Sequence, residues 1–187
     1  MMIRITPVLK EGLPFAVTIS LVCSIIYFVV QQNYRNSAND PQYQMASEAV
    51  NALGKGAAPK ALVPATPAEL TGRLSPYLII YDDSGNVAAS AVVLNDKIPK
   101  LPKGVLDYVK NKGEEAITWQ PRPGIRQALV IRRTELGNLY YVAAGRSLRN
   151  TEKRISMLSK QVFTGWVISL VLLFAVLRVS GSFIKAE

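Results

Sequence analysis

The chain has 187 residues, 49% of them hydrophobic and 19% charged, and a formal net charge of +9. This is too apolar for a disordered chain, and the length suits one ordinary domain with something attached. The absence of histidine excludes Ser–His and Cys–His catalytic pairs, imidazole metal sites and a phospho-accepting histidine, and the lone cysteine, Cys23, excludes an internal disulfide and a thiolate metal site.

After a short N-terminal segment, residues 1–12, comes the first of two apolar runs, Leu13 to Val30, LPFAVTISLVCSIIYFVV, without a charge. Eighteen residues of helix cover about 27 Å, close to the hydrocarbon thickness of a bilayer. Pro14 falls in the first turn, and Tyr27 suits the interface at the far end. The run is longer than the apolar core of a secretory signal, and only Ser37-Ala38 offers a small-residue cleavage pair, so an uncleaved anchor is the better reading. A buried core helix is the plainer alternative for both runs, but a domain this small rarely buries two helices apolar on every side.

From Pro41 the chain predicts a helix over about 41–53, capped by Asn39 or Asp40, with Tyr43, Ala46, Val50 and Leu53 at helical spacing. GAAPKALVPATPAEL, with three prolines, reads as a linker. SPYLIIYD, the DSGN turn and VAASAVV predict a hairpin from Tyr77 to Val93. Asp96 to Pro102 is irregular, and Gly104 to Lys112 is a short helix. Three further β segments follow at Glu115–Pro121, Ile125–Thr134 and Leu139–Arg146. Strands with helices gathered beside them give an α+β class.

Residues 147–161 form an exit helix that leads into a second membrane span, 162–179, built on VFTGWVISLVLLFAVL and followed by a short tail, 180–187. Leu148, Thr151, Ile155, Leu158, Val162, Gly165, Ser169 and Leu172 alternate in threes and fours, which predicts a heptad seam running from the domain into the span. Ala16, Ser20 and Ser24 in the first run, and Gly165 and Ser169 in the second, recur every four residues, a spacing that lets helices approach closely in lipid.

Arg4 and Lys10 before the first run, with Arg178 and Lys185 after the second, favour both ends in the cytoplasm. Arg146, Arg149, Lys153, Arg154 and Lys160 then fall outside, which a long loop tolerates. Residues 31–161 hold 18 lysines and arginines against 11 acids. Arg149, Lys153, Arg154 and Lys160 are therefore expected to contact anionic headgroups, and the charge carries no nucleic-acid motif.

Three stretches together carry a family resemblance: SANDPQYQMASEA after the first run, SPYLIIYDDSGN at the hairpin, and WQPRPGIRQALVIRR followed by YVAAGRSLRNTEKRI before the second. In this order they resemble the extracytoplasmic PAS-like (PDC or Cache type) sensor domains of bacterial membrane receptors such as histidine kinases. The resemblance covers most of residues 31–160, with 31–146 as the domain proper. It implies a long N-terminal helix packed on a five-stranded antiparallel sheet, a ligand site between sheet and flanking elements, and two transmembrane helices flanking the domain. It also implies a two-pass protein of the bacterial inner membrane with the domain periplasmic or extracellular. Only RVSGSFIKAE follows Leu177, without a kinase or other output module. The expectation is therefore a non-enzymatic module acting through a signalling protein in trans.

Trp119, Arg122 and Arg126 cluster around the RPG turn, and one of Arg132 and Arg133 faces a pocket, so Trp119, Arg122, Arg126 and Arg132 are the candidates for holding a carboxylate or phosphate. The plainer reading is a turn with solvated arginines and a core tryptophan. Asp82 and Asp83 before Ser84-Gly85 are what a tight turn needs, rather than an acid–base pair. No metal or cofactor site is expected. Two function classes stay open: a membrane-anchored module that binds a small ligand or a partner protein, and a structural or assembly protein of the envelope with no ligand. Homodimer pairing through the exit and transmembrane helices is open too.

Overall fold

The computed structural model describes residues 7–135 and 137–183. Arg4 and Lys185, on which the orientation argument leans, lie outside the described residues. The chain forms two compact units, one from Met1–Tyr34 with Lys153–Glu187 and one from Arg35–Glu152.

In the second unit, helix α2 (Asp40–Gly54) starts one residue before the expected position, with Asn39 at its cap and Pro41 in its first turn. Asn39 makes no side-chain cap bond, and the start rests on Pro41's fixed φ and the Asp40 charge. A 3₁₀ turn, Pro59–Leu62, and a two-residue strand β1 (Ala68–Glu69) occupy the proline-rich linker. Then follow β2 (Tyr77–Tyr81), β3 (Val87–Ser90), β4 (Val92–Val93), α3 (Lys103–Lys112), β5 (Glu114–Arg122), β6 (Ile125–Arg133) and β7 (Tyr141–Ser147).

Five strands form one antiparallel sheet in the order β3-β2-β7-β6-β5, and the class is α+β. β1 pairs with β4, in parallel, as a separate two-stranded sheet. Two residues show no periodicity, so nothing in the linker announces this pair.

Both faces of the sheet are covered. On one face Ala46, Ala49 and Leu53 of α2 pack on Leu78, Ile80, Val130, Val142 and Ala144. Small residues on both sides let the helix lie close. On the other face Tyr77, Ile79, Tyr81, Leu129, Ile131 and Tyr141 pack under α3, with Leu70 and Leu101 from the loops. Burial on both faces explains why YLIIY is buried at every position instead of alternating. Gly145 is paired with Tyr77, whose ring crosses directly over it, and no side chain fits there.

Three turns follow local chemistry. Asp82 accepts from the Asn86 N–H at 2.7 Å while Gly85 takes φ +78°, so this acid builds a turn. Asn95 and Asp96, at φ +52° and +59°, close a tight turn between Leu94 and Lys97. Gly124 at φ +82° closes the Pro123–Gly124 turn between β5 and β6. The β5–β6 register slips between Trp119 and Arg122. Pro121 lies in that slip, and it has no N–H to give the ladder.

In the first unit, α1 (Pro7–Asn36) and α4 (Arg149–Phe183) are each long and apolar enough to cross a membrane, with apolar windows of mean hydropathy 2.4 and 2.3. They form an antiparallel pair. Trp166 Nε1 donates to Ser20 Oγ at 2.8 Å, and Gly12 is tucked against Phe174 and Leu177. The half-buried positions on α4 are Thr151, Ile155, Leu158, Val162, Trp166, Ser169, Leu170, Leu173, Phe174 and Leu177. Beyond Val162 the half-buried face within this pair includes Trp166 and Leu173, while Gly165 and Leu172 are exposed. Gly165 faces outward, where an added Cβ meets nothing within 4 Å. Ile155, Trp166 and Leu177 recur every eleven residues, as do Gly12, Cys23 and Tyr34 on α1, a period close to that of a straight helix. On α1, Ala16 and Ser20 are half-buried while Ser24 is exposed.

Candidate functional site

β6 carries two of the candidate arginines at opposite ends. Arg126 and Arg132 are six residues apart, about 20 Å along the strand. Two separate clefts result, one at each end.

At the far end of β6, a cleft of about 530 Å³ opens between the end of α2 and the α3–β5 junction, lined by Ser47, Asn51, Lys55, Lys112, Glu114 and Arg132 among others. Arg132 Nε meets Glu114 Oε2 at 3.0 Å, and its Nη1 donates to Ser47 Oγ. Arg133 points to the opposite face and donates to the Lys110 carbonyl at 2.8 Å. Successive strand residues alternate in this way. Arg132 is thus occupied by a carboxylate and a hydroxyl, and Lys55, Lys112 and Arg133 are the other basic residues lining this cleft.

At the near end, a smaller cleft of about 210 Å³ is lined by Thr71, Arg126, Gln127, Ser147, Arg149 and Glu152, with Leu70, Gly72, Gly124 and Ile125 completing its wall. Arg126 Nη1 meets Glu152 Oε1 at 2.6 Å, and the Arg126 carbonyl accepts from the Leu148 N–H at 3.0 Å. Side chain and backbone of one residue therefore hold both the residue before α4 and its first turn against β6. Arg149, one of the cations expected at the membrane surface, also lines this cleft. Gln127 is 1% exposed, and its Oε1 accepts no hydrogen bond. A buried acceptor without a donor costs about 1–3 kcal/mol, which a bound donor would recover.

Trp119 and Arg122 go elsewhere. Trp119 is 7% exposed and packs in the core opposite Gln127. Arg122 Nη1 donates to Asn95 Oδ1 at 3.4 Å, on the tight turn that Glu69 also holds through the Asn95 N–H. The structure therefore separates the four candidates: Arg126 on one cleft, Arg132 on another, Trp119 in the core, Arg122 on a turn. Gln127 and Glu152 are the site residues that sequence reasoning did not single out, and Arg149 was read there only as a headgroup contact. A glutamine at an inward strand position was the only available signal.

Two phenols lie buried on the α3 face of the sheet. Burial pushes Tyr77 well above the ordinary value of 10.0; Tyr81 nearby adds to this and Arg73 opposes it. Burial does the same to Tyr81. The Leu101 backbone opposes it, from a geometry too poor to make a hydrogen bond. Neither hydroxyl has a partner, and nor does Arg73 Nε.

Lys153, Arg154 and Lys160 are exposed on α4. Among the described residues no three His, Cys, Asp or Glu side chains group to hold a metal ion. No family model matches this chain. No curated protein matches it either.

Proposed function

We propose that this chain is a membrane-anchored, extracytoplasmic, PAS-like sensor module without catalysis of its own, which binds a small ligand or partner protein and acts through another membrane protein. The observation that carries the reading is the pair of bonds from Arg126 to the start of α4, one from its guanidinium to Glu152 and one from its carbonyl to Leu148. A ligand anion in the adjoining cleft would compete with Glu152 for Arg126, and with Arg149 offers a second guanidinium beside it. Binding there is felt by the first turn of the helix that continues into the second apolar run. The antiparallel pairing of α1 and α4 supports a two-pass arrangement in the bacterial inner membrane with both chain ends inside.

The test uses full-length protein in detergent, scanned by thermal unfolding against pools of small metabolites. A ligand that binds only the native state raises Tm, by about 2.7 kcal/mol of stabilisation at a hundredfold excess over Kd. The expected result is a stabilising metabolite whose shift is lost in Arg126→Ala and Arg149→Ala. Absence of any shift, with only the protein itself recovered after crosslinking in native membranes, favours an envelope scaffold and overturns the sensor reading.

A further inference from the structure

We infer that the helical pair carries a site for a single anionic phospholipid, in the groove between α1 and α4. This rests on the reading of both helices as membrane spans. The groove holds about 290 Å³. Ser20 and Ser24 form its floor, Phe163 and Trp166 one wall, and Tyr27 and Ser159 its upper end.

Its polar groups are largely spent. Ser20 Oγ donates to the Ala16 carbonyl at 2.7 Å, and Ser24 Oγ to the Ser20 carbonyl at 2.7 Å. The Trp166 indole N–H is bound to Ser20. The floor and the tryptophan wall thus present hydrocarbon and satisfied dipoles, which suits an acyl chain and not a polar ligand.

The register supplies the headgroup. Ser20 is level with Trp166, and Tyr27 with Ser159. Counting upward, Val30 is level with Ser156, whereas the apolar run of α4 begins only at Val162. The two runs are therefore offset by six residues, about 9 Å. Lys160 falls level with Ile26, beside a stretch of α1 where Ile25 is 61% and Phe28 66% exposed. If that stretch lies in hydrocarbon, Lys160 must raise its ammonium to the phosphate level, next to the upper end of the groove. From Lys153 to Gln161 α4 carries Lys153, Arg154 and Lys160 and no acid. An acyl chain in the groove places its phosphate against these cations, and an anionic headgroup complements them where a zwitterionic one does not.

The test uses full-length protein in phosphatidylcholine vesicles holding a minor fraction of phosphatidylglycerol. Brominated acyl chains, which quench tryptophan on contact, are placed either on the phosphatidylglycerol or on the same mole fraction of phosphatidylcholine. Trp166 lines the groove and Trp119 is in the domain core, so a Trp166→Phe control identifies the responding residue. The expected result is quenching by brominated phosphatidylglycerol roughly twofold stronger than by brominated phosphatidylcholine, with the excess lost in Lys160→Gln and at high salt. Equal quenching by the two lipids overturns the site and leaves the membrane reading standing. No quenching by either means the helices are not in the bilayer, and both readings fall.

Discussion

Gly145→Ala is the sharpest test of the packing described for the sheet. A Cβ at Gly145 overlaps Cζ of Tyr77, stands 2.5 Å from its Oη and meets Cδ2 of Leu129 at 2.7 Å. Neither neighbour has room to yield: Tyr77 is 2% exposed and Leu129 is wholly buried, both in the cluster on the α3 face. Overpacking of this kind costs about 1–3 kcal/mol, and two rigid neighbours place it at the upper end. For a domain of this size that is a fall in Tm of roughly 10–15 °C, read by thermal unfolding of the full-length protein in detergent with Trp119 fluorescence as the domain's probe. Tyr77→Phe removes the Oη overlap and also a buried hydroxyl without a partner, so alone it should be neutral or stabilising. Cζ of the ring and Cδ2 of Leu129 stay in place, so the double variant should recover only the Oη part of the loss. If Gly145→Ala leaves Tm unchanged, the ring does not cross the glycine and the reasoning fails.

The remaining predictions concern the phenols, the ion pair and the α1–α4 pair. Because burial raises the folded-state pKa of Tyr77 and Tyr81 above the ordinary 10.0, their contribution to stability is fully present below pH 10 and lost as pH rises beyond it. Tyrosinate absorbance should therefore show two phenols that ionise only as the domain unfolds, and replacing both by Phe should lessen the alkaline loss. Glu152→Gln breaks an ion pair whose side chains are about half exposed, so it should cost less than about 1 kcal/mol, with the Tm difference vanishing at high salt; a larger, salt-independent loss would contradict the exposed geometry. Trp166→Phe should destabilise the α1–α4 pair by about 0.6–1.7 kcal/mol in a detergent unfolding titration, and Ser20→Ala in the same background should add nearly nothing.

The regular elements were legible because their signals are local. The α2 face repeats at helical spacing, YLIIY is β-branched and aromatic around a DSGN turn, and the two apolar runs stand out by length. The α+β class and the five strands followed from that. What stayed hidden depends on partners distant in sequence. β2 lies beside β7, more than sixty residues away, and only that neighbour explains Gly145. The four candidate arginine and tryptophan positions are close in sequence, yet a strand separates its two ends by its own length, and Trp119 turns inward where Arg122, beyond the Pro121 slip, does not. Within the apolar runs nearly every residue is apolar, so no sequence pattern marks which face of α4 packs on α1.

The slip at Pro121 has a consequence for the rim of the sheet. β5 pairs with β6 on one side, and among the described residues no strand pairs with the other. An open rim of nine residues is a template on which a second chain can add as a strand. Glu114 and Glu115 place charge at one end of it, and Pro121 with Arg122 breaks the ladder at the other. Only Ala116 to Trp119 is left as a regular, uncharged step, too short to seed stacking by itself. The features that bend this strand out of register thereby keep one domain from growing onto the next.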